Sequence, residues 1–361
     1  MLLIEQQRYP IEGVPKYNFS DVFVDGFGLR DGLVDLCLFS LRKLQRQQIE
    51  LAKPDETDVL FGPNSHAESS EVIPISPLRE DTSIAGVDVS SIRIGETVDG
   101  LLLAVRGAVV WNTHRLYHYL RLGPFLFHVT ESNKNQIFSL LRKYQDDLPI
   151  ELAASDFAHL QARITGVLER WIQSNLCSTC SHTLILLDGS LTAGTPDTPE
   201  SVITRFLQMA RTKANTILAF SKFSRIRFNG QALTQIALES ASPCLVKVDG
   251  FLEGTSNFKL LGDVYVARFS DDDICFRLDV DKALQRSQVL DAVQRLLGND
   301  VFNHGYGYPE TLRLAHIYST FTANEVIGMQ RYLEHERELK ISVKPNIRRL
   351  LFGPFGKGPE V

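Results

Sequence analysis

The stretch TLILLDGSL, residues 183–191, constrains what this chain can fold into more than any other. Four aliphatic residues, Leu184 to Leu187, lead directly into Asp188, Gly189 and Ser190. A short unbroken apolar run of this kind reads as a strand covered on both faces. Asp188 then stands where a buried sheet opens to solvent, and Gly189 lets the backbone turn sharply or approach a ligand. A carboxylate in that place is either a metal or acid–base group, or a turn and helix-capping residue. The same arrangement recurs at residues 84–91, IAGVDVSS, where Asp88 follows an apolar run and precedes two serines.

The surrounding pattern is that of an α/β protein. Residues 84–88, 100–111 and 114–129 read as an antiparallel meander, in which His114, His118 and His128 are expected to face solvent. Residues 156–176 place Phe157, Leu160, Ile164, Val167, Leu168 and Trp171 at helical spacing, with Ser155 as N-cap. That helix carries Glu169, ordinarily a solvated position. After the strand ending at Asp188 comes a helix over 199–213, with Pro199 in its first turn and Thr198 as cap. A buried strand at 215–220, NTILAF, then ends at Ser221 and Lys222. Strand, helix, strand is the rhythm of an α/β sheet. Farther on, the patterning predicts a short helix at 231–239, a hairpin of 264–269 with 274–280, and a helix at 282–297. A Gly/Tyr/Pro loop at 304–309 precedes a helix over 310–321 that contains His316. Thr322 to Glu325 fits a capping box that starts a last helix, running to about residue 340.

A chain of 361 residues holds one large domain or two ordinary ones. Residues 1–25 read as an irregular arm. Residues 31–51 read as an amphipathic helix, with Leu33, Leu36, Leu38, Leu41 and Leu44 on one stripe suited to packing or to a second subunit. Residues 52–82 are rich in Pro, Ser and acids, as in a surface excursion or linker. The expected division is therefore an arm, helix and linker over 1–82, a central domain over 83–325, and a helix with a basic tail over 326–361. The tail carries Lys344, Arg348, Arg349 and Lys357; contact with DNA or a partner and plain exposure are both open.

No window of ~18 apolar residues is present, so no membrane span is expected. The N-terminus lacks the basic and apolar regions of a secretion signal. Five cysteines suit a reducing compartment, and a cytoplasmic location is expected. Cys177 and Cys180 form CSTC with His182 close by, but a fourth zinc ligand is missing and ordinary thiols are expected. The net charge of −5 argues against a surface coated with positive charge for non-specific nucleic-acid binding, while a local basic groove stays compatible.

Taken in order, the motifs from about residue 84 to 322 resemble those of the NurA family of nucleases, partners of the HerA translocase in DNA end processing. The first motif, an Asp after an apolar strand followed by small residues, matches GVDVSS and puts its role on Asp88; the family's usual Gly after that Asp is Val89 here. A helical Glu about nineteen positions before the next Asp falls on Glu169, and the strand-Asp-Gly-Ser motif on Asp188. A lysine closing the following strand in a Ser-Lys pair is Lys222. The late motif, YPETLRLAH, supplies Tyr308, Pro309 and His316.

The resemblance implies an RNase H-like fold, a five-stranded mixed sheet flanked by helices with extra helical segments at both ends. It implies that Asp88, Glu169, Asp188 and His316 converge as ligands for one or two Mn²⁺ or Mg²⁺ ions, oxygen donors with one imidazole suiting such cations. Two ions about 3.5–4 Å apart activate a water and stabilise the leaving oxygen of a phosphodiester. Lys222 would neutralise phosphate charge; Tyr308 would bond a phosphate or stack on a base, or else pack in the core. The implied activity is 5′–3′ exonuclease and single-strand endonuclease action on DNA ends, in double-strand-break repair. Its implied setting is a toroidal homodimer working with a HerA-like hexameric ATPase. The alternative is a DNA-binding clamp subunit without catalysis.

Overall fold

The computed structural model describes residues 28–41, 48–50, 69–142, 157–194, 198–222, 224, 227–228, 231–238, 240–249, 259–337 and 340–342. Helix α1 (Gly28–Leu41) and strands β1 (Gln48–Glu50) and β2 (Ser69–Pro74) precede three long strands, β3 (Ser83–Glu96), β4 (Gly100–Thr113) and β5 (Leu116–Thr130). Helices α2 (Lys134–Arg142) and α3 (Phe157–Thr179) lead to β6 (Thr183–Asp188), and α4 (Glu200–Thr212) leads on to β7 (Thr216–Ser221). Then come β8 (Cys244–Asp249), β9 (Gly262–Arg268) and β10 (Phe276–Asp281). Helices α5 (Arg286–Asn299), α6 (Glu310–Ser319) and α7 (Ala323–Arg337) and strand β11 (Lys340–Ser342) follow, and four two-residue strands and a 3₁₀ turn lie between these elements.

Eleven strands form one mixed sheet. Its centre runs β5-β4-β3-β6-β7. The first three are antiparallel neighbours, while β6 is parallel to β3 and β7 to β6. This is the RNase H-like strand order. The sheet continues past those five strands through β10, β9, β8 and β2, all antiparallel. At the far end of β3, β1 pairs antiparallel at Glu50–Glu96 and carries β11 parallel beside it.

Alternation along the central strands builds the two largest cores, one on each face. Ala85, Val87, Ile185, Leu187, Ile217 and Ala219 face α3 and α4, packing on Ile164, Leu168, Phe206 and Leu207. Ile84, Leu184, Leu186, Leu218 and Phe220 face the other way, onto Val289, Val293 and Leu296 of α5 and Leu312 of α6. Strands β6 and β7 contribute to both cores, which is why their sequences are continuous apolar runs rather than alternating ones.

The expected helix over 31–51 is shorter. It ends at Leu41, and Gln48–Glu50 is a strand instead. Of its apolar stripe, Leu36 and Leu41 are buried, with Cys37 beside them, while Leu38 is 44% exposed. Ser40 Oγ accepts the backbone N–H of His128 on β5 at 3.0 Å. The linker expected over 52–82 contains an edge strand, β2, whose Ile73 is buried while Val72 is exposed. His128 does not face solvent: it is buried with Nε2 2.9 Å from Thr97 Oγ1, and burial lowers its pKa to about 4. His114 is exposed as expected.

Helix α4 is capped by Pro199 without a side-chain bond; the Thr198 hydroxyl instead accepts from Arg170 Nη2 at 3.3 Å. Helix α5 starts at Arg286 rather than 282, because Leu284 N–H closes a turn onto Asp281 O at 3.0 Å. The expected helix at 231–239 is a two-residue ladder at Gln231–Ala232 followed by a 3₁₀ turn, Leu233–Ala237. Thr322 and Glu325 do form a capping box, Thr322 N–H donating to Oε2 at 2.8 Å and Glu325 N–H to Oγ1 at 3.3 Å. Strand β8 and helix α2 are not anticipated by the sequence patterning, and the expected N-cap Ser155 lies outside the described residues. Among the described residues, no helix is long and apolar enough to cross a membrane.

Candidate metal centre

The pairing of β3 with β6 runs from Ser83–Thr183 to Val87–Leu187 and stops there. One step farther, β6 ends at Asp188, while β3 carries on for eight more residues beside β4. The two carboxylates of Asp88 and Asp188 therefore meet where two parallel strands separate. Alternation puts both on the α6 side of the sheet, in line with Gly86 and Leu186. A Cβ on Gly86 would stand 3.1 Å from Thr311 Cγ2 and 3.3 Å from the Thr311 carbonyl oxygen, so glycine is what lets α6 lie this close to β3. Val89, where the resemblance has glycine, continues the strand opposite Gly107; no turn follows Asp88.

After Asp188 the chain does turn, through Gly189 at φ +144°, a value that favours glycine. Gly189 N–H donates to Phe220 O at 2.7 Å, and Ser221 Oγ donates to Gly189 O at 2.6 Å. Farther along, Leu191 N–H donates to Asp279 Oδ2 at 2.9 Å. Asp279 is fully buried on β10 and held by Arg277 through Nε and Nη2, both at 2.6 Å. The loop that presents Asp188 is thus fixed from two neighbouring strands.

Helix α6 brings His316 over the strand ends. Its Nδ1 lies 3.2 Å from Asp88 Oδ2, and the side chain is 52% exposed. The acceptor is a carboxylate, so the facing nitrogen is the donor. Ser319, one turn on and buried, donates its hydroxyl to the same Asp88 Oδ2. The start of α6 is held by Asp300, a buried carboxylate that accepts Thr311 N–H at 3.2 Å and Thr311 Oγ1 at 3.0 Å. Tyr117 Oη and Asn112 Nδ2 also donate to it, at 2.5 and 3.3 Å. Asp300, Ser319 and the Arg277–Asp279 pair are not flagged by the sequence motifs. The local signals for the last two are the serine three positions after His316 and the alternation of RLDVD.

Lys222, just past β7, donates from Nζ to Asp188 Oδ2 at 2.7 Å and sits 5.2 Å from the centre of the Tyr308 ring. Tyr308 is buried against Phe220 and Phe276, with ring centres 6.2 and 5.0 Å apart. Its hydroxyl is buried and makes no hydrogen bond of normal geometry. Burial, then the charges of Asp188 and Asp88, push its pKa up. Tyr308 therefore both packs in the core and aims a polar atom toward the acids.

Glu169 reaches the same place from α3, in the opposite layer. Its Oε1 accepts Gln173 Nε2 at 3.0 Å. Burial, opposed by Arg170 and reinforced by Asp88 and Asp188, raises its pKa to about 7. Ligand atoms of Asp88, Asp188 and His316 lie within 4.8 Å of one another; Glu169 stands outside that trio. Two carboxylates facing each other with a third in their field repel when ionised, and oxygen donors with one imidazole are the set a hard divalent cation takes. The residues present fit such an ion. The trio is the one group of three or more potential ligands among the described residues. Cys177 and Cys180 are separate buried thiols, pushed up to about 12 chiefly by burial.

No family model and no curated protein matches the chain. Among solved structures, the NurA nuclease from Sulfolobus solfataricus is 14% identical, covering 73% of this chain and 87% of its own at a TM-score of 0.45. A NurA bound to dAMP and manganese is 10% identical, covering 78% of this chain and 92% of its own at 0.35. Endonuclease V from Bacillus subtilis is 11% identical, covering 73% and 86% at 0.33. Likeness at these identities and scores carries no information about the reaction a chain performs.

Proposed function

We propose that this chain is a divalent-metal-dependent nuclease that hydrolyses phosphodiester bonds in DNA. The observation that supports it most is the meeting of Asp88, Asp188 and His316 within 4.8 Å at the point where β3 and β6 part. Placing like charges together lowers stability unless a cation joins them, so a fold that fixes both carboxylates through separate anchors is organised for that cation. A DNA-holding clamp has no use for such a cluster.

A divalent ion held there supplies an activated water and neutralises charge on the phosphate. Asp88 and Asp188 would hold it through their carboxylates, with the His316 imidazole as the nitrogen donor. Lys222 keeps Asp188 in place and adds a positive charge beside the position of a phosphate. Glu169, in the electrostatic field of both acids, would join them as a carboxylate ligand once a cation is bound. The Tyr308 hydroxyl, buried beside Asp188 without a hydrogen bond of normal geometry among the described residues, is placed to donate to a phosphate oxygen.

The motif order along the sequence supports the finer reading: Mn²⁺ or Mg²⁺ as one or two ions, and single-stranded DNA or DNA ends as substrate. The same order supports 5′–3′ exonuclease and single-strand endonuclease action, a homodimer, and a HerA-like translocase as partner in double-strand-break repair. The test is direct. Purified protein is expected to degrade labelled single-stranded DNA with Mn²⁺ and to stop with EDTA. Asp188→Asn, which replaces a hard ligand by a neutral amide, is expected to lose about a thousandfold or more, roughly 4 kcal/mol of transition-state stabilisation. Cleavage within tenfold of the parent rules Asp188 out as a ligand.

A further inference from the structure

Asp88 receives more from α6 than the His316 ring. Ser319 has no exposed surface, and its hydroxyl donates to Asp88 Oδ2. Ser90, two residues along β3 on the same face, has Oγ 2.9 Å from Ser319 Oγ and 3.5 Å from Asp88 Oδ2. Each hydroxyl has one proton to give. For Ser319 the rival acceptor is the His316 carbonyl oxygen at 3.0 Å, and a charged carboxylate is the stronger of the two. Ser90 is nearer to Ser319 than to the carboxylate, so its proton goes to Ser319 Oγ. The result is a chain, Ser90 to Ser319 to Asp88, in which each bond polarises the next. With His316 Nδ1–H at 3.2 Å, Oδ2 takes two donors from one helix and its lone pairs are filled. Oδ1 is the oxygen left over. The adjacent Ser91 takes no part, since its Oγ accepts Gln161 Nε2 at 3.0 Å on the α3 side of the sheet.

We propose that Ser319, backed by Ser90, is a positioning residue for the metal centre: it locks the Asp88 carboxylate by Oδ2 so that Oδ1 is presented to the cation. The proposal rests on the metal-dependent reading of the site. It also gives a use to Ser90 of VDVSS and to the serine three positions after His316, which a binding role for Asp88 and His316 alone leaves idle. A ligand carboxylate that rotates freely binds a cation more weakly than one held by an outer partner, and loss of such a partner typically costs about 10–100-fold in affinity.

The experiment measures Mn²⁺ affinity by electron paramagnetic resonance of the free ion, on full-length protein and on Ser319→Ala, Ser319→Cys, Ser90→Ala and Asp188→Asn. The melting temperature without metal, and kcat and KM on single-stranded DNA, are taken alongside. Ser319→Ala is expected to bind Mn²⁺ about 10–100-fold more weakly, with kcat reduced and KM for DNA unchanged. Ser90→Ala should give a smaller loss in the same direction. Ser319→Cys, close in volume but a weak donor, should fall between parent and alanine. If Ser319→Ala melts earlier yet binds Mn²⁺ within about twofold of the parent, the serine is only a packing residue and the proposal fails. Should the alanine variant not fold, Ser319→Cys decides: parent-like Mn²⁺ affinity overturns the proposal. The underlying reading fails separately and visibly, if the parent and Asp188→Asn bind Mn²⁺ equally.

Discussion

Replacing Glu169 by glutamine tests whether the acids of the centre share one electrostatic field. The side chain keeps its shape and its contact with Gln173, but loses the charge. In the metal-free protein the Glu169 pKa is raised from its ordinary 4.5 to about 7, chiefly by burial and then by Asp88 and Asp188, against the pull of Arg170. A raised carboxyl pKa means that the folded state holds the proton more tightly than the unfolded chain. The contribution of this group to stability is thus fully present below about pH 4.5 and is lost as pH rises through about 7. The interval corresponds to roughly 3 kcal/mol at most. Glu169→Gln removes that dependence. At pH 8 the metal-free variant is expected to be more stable than the parent by up to about 3 kcal/mol, and near pH 4.5 the two should agree. For a chain of this size the gap is roughly 6 °C in melting temperature or less. The assay is urea unfolding at half-unit intervals from pH 4.5 to 8 in EDTA, repeated with saturating Mn²⁺. With Mn²⁺ the order should reverse at pH 8, because the ionised carboxylate gains from the cation and the amide does not. Parallel curves for the two proteins across the whole range in EDTA would refute the reasoning.

Three other outcomes are expected. His316→Ala should weaken Mn²⁺ affinity about 10–100-fold and leave the metal-free melting temperature nearly unchanged, since half of the side chain is exposed; titration calorimetry with a thermal melt separates this from a core histidine. Gly298→Ala should destabilise by about 3 kcal/mol, because its Cβ would stand 1.9 Å from the Leu78 carbonyl oxygen, a backbone atom; urea unfolding measures it, and a neutral result would mean that α5 docks differently on residues 78–79. Light scattering at micromolar concentration should give a dimer, and a monomer would remove the toroidal assembly from the proposal.

The part of the site that the sequence makes legible is local. Asp88 and Asp188 are found because each follows its own apolar run, and β6 and β7 because strands buried on both faces carry unbroken aliphatic residues. Lys222 follows from the end of β7 and His316 from the late motif. The anchors are hidden for a physical reason: they act across pairings distant in the sequence. Asp279 secures Leu191, and Asp300 ties Tyr117 and Asn112 to the start of α6. Ser319 means little until α6 is laid on β3. The sheet margins are obscure for the same reason. Strands β1, β2 and β8 lack the unbroken aliphatic run of β6 and β7, and their order comes from partners rather than from their own patterning. His128 shows the limit of alternation as a guide, since period two says that a residue faces one side but not whether that side is later covered by α1.

The outer strands also set an order of events during synthesis. Val72 pairs with Val246, and Ile49 with Ile341. Those partners leave the ribosome about 170 and 290 residues later, roughly ten seconds to a minute at ordinary elongation rates. Strands β3, β4 and β5, joined by tight turns, can close on one another within that wait. Strand β2 cannot, so it trails beside a half-built sheet with its backbone N–H and C=O groups unclaimed. A nascent chain halted before residue 244 would carry Ser69–Pro74 as an open edge, free to join the same strand of a neighbouring chain on the polysome.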